Sequence, residues 1–178
     1  LVKVSIVPRG QSLGAAWYLP EERAITTTEQ IFDEMCAALG GRAAEEIIFG
    51  KISTGALSDL EKVTKQAYAM VSVYGLNERI GNRSYYDSRG GSSFTKPYSE
   101  ETARIIDEEV SAVIEKAYNR AKDILTSNRE KLEALAQSLL DNEVIFKEDV
   151  ERILGARPFA SAASTLAGPA VEPEKQAS

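Results

Sequence analysis

The sequence contains no histidine, and Cys36 is the single cysteine among its 178 residues. The first absence excludes a His-based triad, a histidine general base and a histidine metal ligand from within the chain, so any metal would rest on carboxylates or on a missing partner. The second excludes an intramolecular disulfide framework and points to a reducing compartment. An initiator methionine is lacking too. The chain opens Leu1-Val2-Lys3-Val4-Ser5-Ile6-Val7, already in strand-like alternation and without signal- or transit-peptide composition, and reads as an internal start. No apolar run approaches the roughly 20 residues of a membrane span, so the expectation is a soluble portion whatever the full-length protein is. Basic stripes are also missing. With 21 Lys+Arg against 27 Asp+Glu the formal net charge is -6, which gives nucleic acid no electrostatic foothold. Gly10, Gly14, Gly40 and Gly41 follow neither a Walker-type nor a Rossmann spacing, which argues against nucleotide binding on this chain.

What is present is a globular composition, 43% hydrophobic, in a chain long enough to fold around its own core without a disulfide or metal. Residues 3–19 alternate and are β-rich up to Pro20, and predict a small β-ribbon. Thr26 followed by Glu29 is a capping-box signature, and Ile31/Phe32, Met35/Cys36, Leu39, Ala43 and Ile47 then recur at helical spacing, predicting a helix from about 28 to 48. Gly40-Gly41 inside it suggests close packing against another backbone rather than a break. After Phe49-Gly50 a second helix is expected, with Leu60, Val63, Ala67, Met70/Val71 and Tyr74 on one face and Gly75 at its end.

Asn82 to Tyr98 is polar, aperiodic and rich in Ser, Gly and Tyr, and reads as a mobile surface loop. Ser99 opens the longest helix, striped by Ile105/Ile106, Val110, Val113/Ile114, Ala117, Ala121 and Ile124/Leu125 and broken at Ser127-Asn128. A helix carrying Leu132, Leu135, Leu139 and Leu140 follows, and a last one near 147–154 ends at Gly155. The run from Ala160 to Ser178 has few large apolar groups and reads as a disordered tail. The fold class expected is mainly α, a helical bundle with a small N-terminal β-ribbon.

Few residues suggest chemistry by themselves. Asp59 stands in the first turn of the second helix, where a carboxylate meets the helix dipole, and Ser58 with Glu61 forms a plausible capping box around it. An ordinary cap is therefore the plain reading of Asp59. Glu45 and Glu46, late in the first helix, read as solvated surface. Trp17 and Tyr18 could line a ligand groove, although aromatic residues in a strand are more often core. Cys36 sits among apolar residues and reads as a buried, inert thiol.

Three segments change these weights: Val4-Ser5-Ile6-Val7-Pro8-Arg9-Gly10, Leu39-Gly40-Gly41-Arg42-Ala43-Ala44-Glu45-Glu46-Ile47-Ile48-Phe49-Gly50, and Ser53-Thr54-Gly55-Ala56-Leu57-Ser58-Asp59-Leu60. In that order they closely resemble the peptidase domain of the FtsH family of membrane-anchored, ATP-dependent zinc metalloproteases. Lys96-Pro97-Tyr98-Ser99-Glu100-Glu101-Thr102-Ala103 and the ending Arg157-Pro158-Phe159 look most like its bacterial and mitochondrial matrix-facing branches. The resemblance covers about residues 1–159, the expected peptidase region, and leaves 160–178 as a tail.

The resemblance implies a mainly helical, zincin-type domain that follows an ATPase module, assembles as a homohexamer and degrades unfolded or membrane proteins in an enclosed chamber. It would face the bacterial cytoplasm or the mitochondrial matrix, with membrane contact only through segments outside this chain. In the family two histidines of an H-E-x-x-H helix hold zinc, the intervening glutamate is the general base and a later aspartate completes the site; histidines four apart share a helix face, and three protein ligands leave a position for the attacking water. By motif position Asp59 matches the third ligand. Glu45 is a partner that would orient a ligand histidine, or a rival third ligand. The strand Leu13 to Leu19, with Gly14, Ala15, Ala16, Trp17 and Tyr18 at its centre, is the implied edge for pairing with an extended substrate.

One departure from the family matters. Its H-E-x-x-H helix lies upstream of the Val-Ser-Ile-Val-Pro-Arg-Gly segment, and here there is no histidine. The expectation is therefore neither proteolysis nor tight zinc binding by this chain alone, with ATP and Mg bound by a module outside it. A different class of reading keeps the scaffold and dispenses with chemistry, as a non-catalytic helical assembly or adaptor module.

Overall fold

A computed structural model describes residues 1–10, 12–19, 25–86 and 97–156. The chain is mainly helical, and its contacts divide it into two compact units, Leu1–Pro20 with Glu130–Ser178, and Glu21–Arg129. Most of the segment expected to be a mobile loop, the ending Arg157-Pro158-Phe159 and the tail from Ala160 lie outside the described residues.

The first unit is built on a three-stranded antiparallel sheet in the order β2-β1-β3, from β1 (Lys3–Ser5), β2 (Ala15–Trp17) and β3 (Val144–Phe146). The register pairs Lys3 with Trp17 and Ser5 with Ala15 on one side, and Lys3 with Phe146 and Ser5 with Val144 on the other. The ribbon is thus shorter than the alternation predicts and gains a strand from far along the chain. The turn before β3 places Glu143 in the left-handed region at φ 60, where its carbonyl accepts from the Ile6 N–H at 2.9 Å. Helices α4 (Arg129–Asn142) and α5 (Lys147–Leu154) flank β3 in sequence. Lys131 Nζ donates to the Leu154 carbonyl at 3.1 Å, and the Phe146 N–H donates to the Asp149 carboxylate at 3.1 Å. Ile145 is buried, while Tyr18 is 69% exposed, which corrects the core reading of that aromatic.

The second unit packs α1 (Thr28–Phe49), α2 (Leu57–Tyr68) and α3 (Glu100–Ser127) around one apolar core. Met35, Leu39, Val63, Ala67, Val71, Ile106 and Ala117 are essentially inaccessible within it. Each burial removes apolar side chain from water at about 25 cal/mol per Å2, and the helices stand where that stripe faces inward. The capping box that starts α1 is Thr27 with Gln30, one residue later than the Thr26–Glu29 pair expected: Gln30 N donates to Thr27 Oγ1 at 3.3 Å and Thr27 N to Gln30 Oε1 at 2.9 Å. Ser99 caps α3 as predicted, accepting from the Thr102 N–H at 3.2 Å.

Two expectations for this unit fail for physical reasons. The second helix ends in a π turn, Ala69–Val73, where the Tyr74 N–H reaches back five residues to the Ala69 carbonyl at 2.9 Å. The wider turn rotates the following residue off the core face, so Tyr74 is 60% exposed. At Gly40 and Gly41 an added Cβ would meet nothing within 4 Å, so no other backbone packs closely on them among the described residues.

Candidate functional site

Asp59 owes its position to the chain between α1 and α2. Gly50 takes a left-handed conformation, φ 65, to close α1, its N–H donating to the Glu46 carbonyl at 2.9 Å. Ser53 then leaves the chain extended and caps a short 3-10 turn, Thr54–Ala56, by accepting from the Gly55 N–H at 3.2 Å. Ala56 is buried, and α2 begins at Leu57 straight after it.

Ser58 is already inside α2 and the residue before the helix is Ala56, without a side-chain cap, so the expected Ser58–Glu61 box does not form. Glu61 instead accepts from Lys65 one turn later at 2.6 Å. Asp59 is the acidic residue of the first turn. It is half-buried, and no hydrogen bond or ion pair engages its carboxylate among the described residues. The start of a helix favours negative charge, and a carboxylate held there without a partner can accept a proton donor or a metal ion. It stands as a single carboxylate: among the described residues no three His, Cys, Asp or Glu side chains gather as a metal would require.

Glu45 and Glu46 are not the solvated pair that their spacing suggests. Glu45 uses both carboxylate oxygens on Ser53, accepting from its Oγ at 2.7 Å and from its N–H at 3.2 Å. Those bonds hold its carboxyl below the ordinary glutamate range. Glu46 accepts from the phenol of Tyr118 on α3 and lies 3.6 Å from Lys122 Nζ. The Tyr118 bond is the main reason its carboxyl is held low; burial chiefly, and then Glu46, push the Tyr118 phenol up to about 12. Cys36 is 8% exposed and burial raises its thiol, consistent with an unreactive side chain.

Gly14 to Tyr18 belong to the first unit, Glu45 and Asp59 to the second. Gly14 passes so close to β1 that a Cβ there would sit 2.7 Å from the Ser5 carbonyl oxygen. Two cations lie on the Trp17 ring, Lys3 Nζ at 4.5 Å from its centroid and the Arg9 guanidinium carbon at 5.8 Å. The Val2 carbonyl accepts from Lys147 N at 3.2 Å and Ile6 N donates to the Glu143 carbonyl, both on the β3 side, while the Val2 N–H donates to the Trp17 carbonyl of β2 at 2.7 Å. Alternation therefore turns Lys3 and Ser5 towards β2, so that Trp17 and Ala15 face β1 and the backbone N–H and C=O of Ala16 face the edge on which no described strand pairs. Sequence reasoning passed over Ser53, whose signal was the Ser-Thr-Gly run ahead of a helix.

The family description "Peptidase family M41" matches residues 1–153. An ATP-dependent zinc metalloprotease FtsH of Parabacteroides distasonis is 64% identical over 162 residues, which cover 90% of this chain and 24% of that protein. One of the same name from Rhodothermus marinus is 55% identical over 163 residues, 89% of this chain and 23% of the relative. The mitochondrial inner membrane m-AAA protease component AFG3L1 of Mus musculus is 50% identical over 161 residues, 90% of this chain and 20% of that protein. The chain thus spans a quarter or less of the relatives it matches. No helix among the described residues is long and apolar enough to cross a membrane.

Proposed function

The chain belongs to peptidase family M41, and from that premise we propose that it serves as part of the peptidase region of a membrane-anchored, ATP-dependent zinc metalloendopeptidase acting on unfolded and membrane proteins. Residues 1–159 form that region. Asp59 is its zinc ligand in this chain, with two histidines and a glutamate base supplied from outside it. The observation that carries this reading is the unpaired, half-buried Asp59 carboxylate in the first turn of α2, inside the segment that matches the family.

Zinc, when bound, would activate a water for attack on a peptide carbonyl. Asp59 presents one carboxylate oxygen at a fixed helix start, and the open edge at Ala16 offers backbone groups to an extended substrate, so recognition is weak in side-chain preference. ATP and Mg bind a module outside these residues. The assembly is a homohexamer facing the bacterial cytoplasm or the mitochondrial matrix; its support is the bacterial and mitochondrial relatives alone. This chain by itself neither binds zinc tightly nor cleaves.

The test compares zinc content and casein cleavage in two proteins: this chain, and the chain extended upstream through an H-E-x-x-H helix, each with Asp59 and with Asp59→Ala. The reading expects zinc and cleavage only in the extended protein with Asp59 intact. Equal zinc and cleavage with Ala at 59 removes the ligand assignment, and an extended protein that never binds zinc favours the assembly module.

A further inference from the structure

Resting on the assignment of Asp59 above, we propose that Glu45 is a positioning residue: through Ser53 it holds the 3-10 turn that sets Asp59 at the start of α2, and so governs metal affinity without touching the metal.

The start of α2 has no side-chain cap of its own. Its geometry is inherited from the turn before it, and Ser53 is what caps that turn. Glu45, on the last full turns of α1, accepts from Ser53 Oγ at 2.7 Å and from Ser53 N at 3.2 Å. With its proton committed to Glu45, the Ser53 hydroxyl turns a lone pair to the Gly55 N–H at 3.2 Å. The result is a relay, charge-assisted at its Glu45–Ser53 step, from a long, well-packed helix to the turn just before Asp59. Gly55 fits this tightly, since a Cβ there would lie 3.3 Å from Ser53 Oγ. Ala56, buried, pins the other end of the turn.

Both Glu45 oxygens bond Ser53, so the carboxylate is tied to the turn that leads to Asp59. Partners of this kind fix ligand direction, and their loss typically weakens metal binding about 10–100-fold while leaving the ligands in place. Without Glu45 the turn keeps its sequence but loses the brace that selects one conformation.

The test is zinc affinity of the full-length protein by chelator competition, alongside thermal melting of the metal-free form. Asp59→Ala is expected to lose zinc. Glu45→Ala and Ser53→Ala should each weaken zinc binding roughly 10–100-fold, with metal-free melting points near wild type. The double variant should be no weaker than either single, because one relay is cut in both cases. Ser53→Thr, which keeps the hydroxyl, should restore near-normal affinity. Unchanged affinity in Ser53→Ala with loss in Glu45→Ala would place Glu45 on the metal or on another ligand directly and overturn the proposal. Additive losses, or a large fall in metal-free melting that tracks the zinc loss, would overturn it as well. Retention of zinc by Asp59→Ala overturns the site assignment itself, and is told apart because that variant leaves Glu45 and Ser53 untouched.

Discussion

Tyr118 on α3 donates its phenolic hydroxyl to the carboxylate of Glu46 on α1, joining residues 72 positions apart in the chain. Lys122 closes the group, with Nζ 3.6 Å from Glu46 and 4.8 Å from the Tyr118 ring centroid. This polar brace ties the two longest helices of the second unit beside their shared apolar core.

The brace predicts two pH limits. Tyr118 is raised to about 12 in the folded state, so its contribution is complete below the unfolded tyrosine value near 10 and is lost as pH rises from about 10 to 12. Glu46 is lowered, so its contribution is present above the unfolded glutamate value and lost as pH falls through its folded one. Tyr118→Phe should therefore cost on the order of 1 kcal/mol at neutral pH and flatten the alkaline loss. Thermal melting from pH 7 to 12 checks this; a Tyr118→Phe profile that matches wild type at alkaline pH would show that Tyr118 does not carry the alkaline loss.

Gly41 is exposed in the middle of α1, with nothing within 4 Å of an added Cβ. Glycine costs a helix interior about 1 kcal/mol relative to alanine. Gly41→Ala should accordingly raise the stability of this chain by about 0.5–1 kcal/mol in denaturant melts. The opposite sign would mean that something packs closely on this face after all.

The helix plan was legible where signals are local. Ser99 and its stripe over Ile106, Val110, Ala117 and Ala121 are found buried or capping as read. The cap of α1 slipped by one because three threonines stand in a row and only geometry selects Thr27. β3 carried no readable signal: three residues long, it exists through pairing with β1, some 140 positions earlier. Tyr74 was misplaced because a π turn changes the period without a sequence mark. The site was half legible. Asp59 looked like a cap until the resemblance singled it out, and the Glu45–Ser53 bonds span a turn whose shape no periodicity encodes.

The Ala16 backbone groups face the edge on which no described strand pairs, so a proline there should leave the β1 pairing intact while removing a donor. In the full-length protein Ala16→Pro is expected to slow cleavage of an extended substrate several-fold at a melting point close to wild type. Unchanged turnover would remove this strand from substrate binding.

Gly14 and Gly10 separate two reasons for glycine. Gly10 has φ +61 with open space around it, so Gly10→Ala incurs backbone strain alone, about 1 kcal/mol. Gly14 has no such φ, yet its Cβ would lie 2.7 Å from the Ser5 carbonyl oxygen and 3.3 Å from the Ile6 Cα. Both obstacles are backbone, so no side chain can rotate away and β1 or β2 must shift. Ser5 is 7% exposed and paired on both sides, which leaves little room for that shift. Gly14→Ala should therefore cost about 1–3 kcal/mol, as overpacking does, more than Gly10→Ala. Hydrogen exchange should show the loss first at β2, where only one neighbour strand holds the backbone. Equal destabilisation by the two substitutions would mean that the strand approach at Gly14 is looser than these distances require.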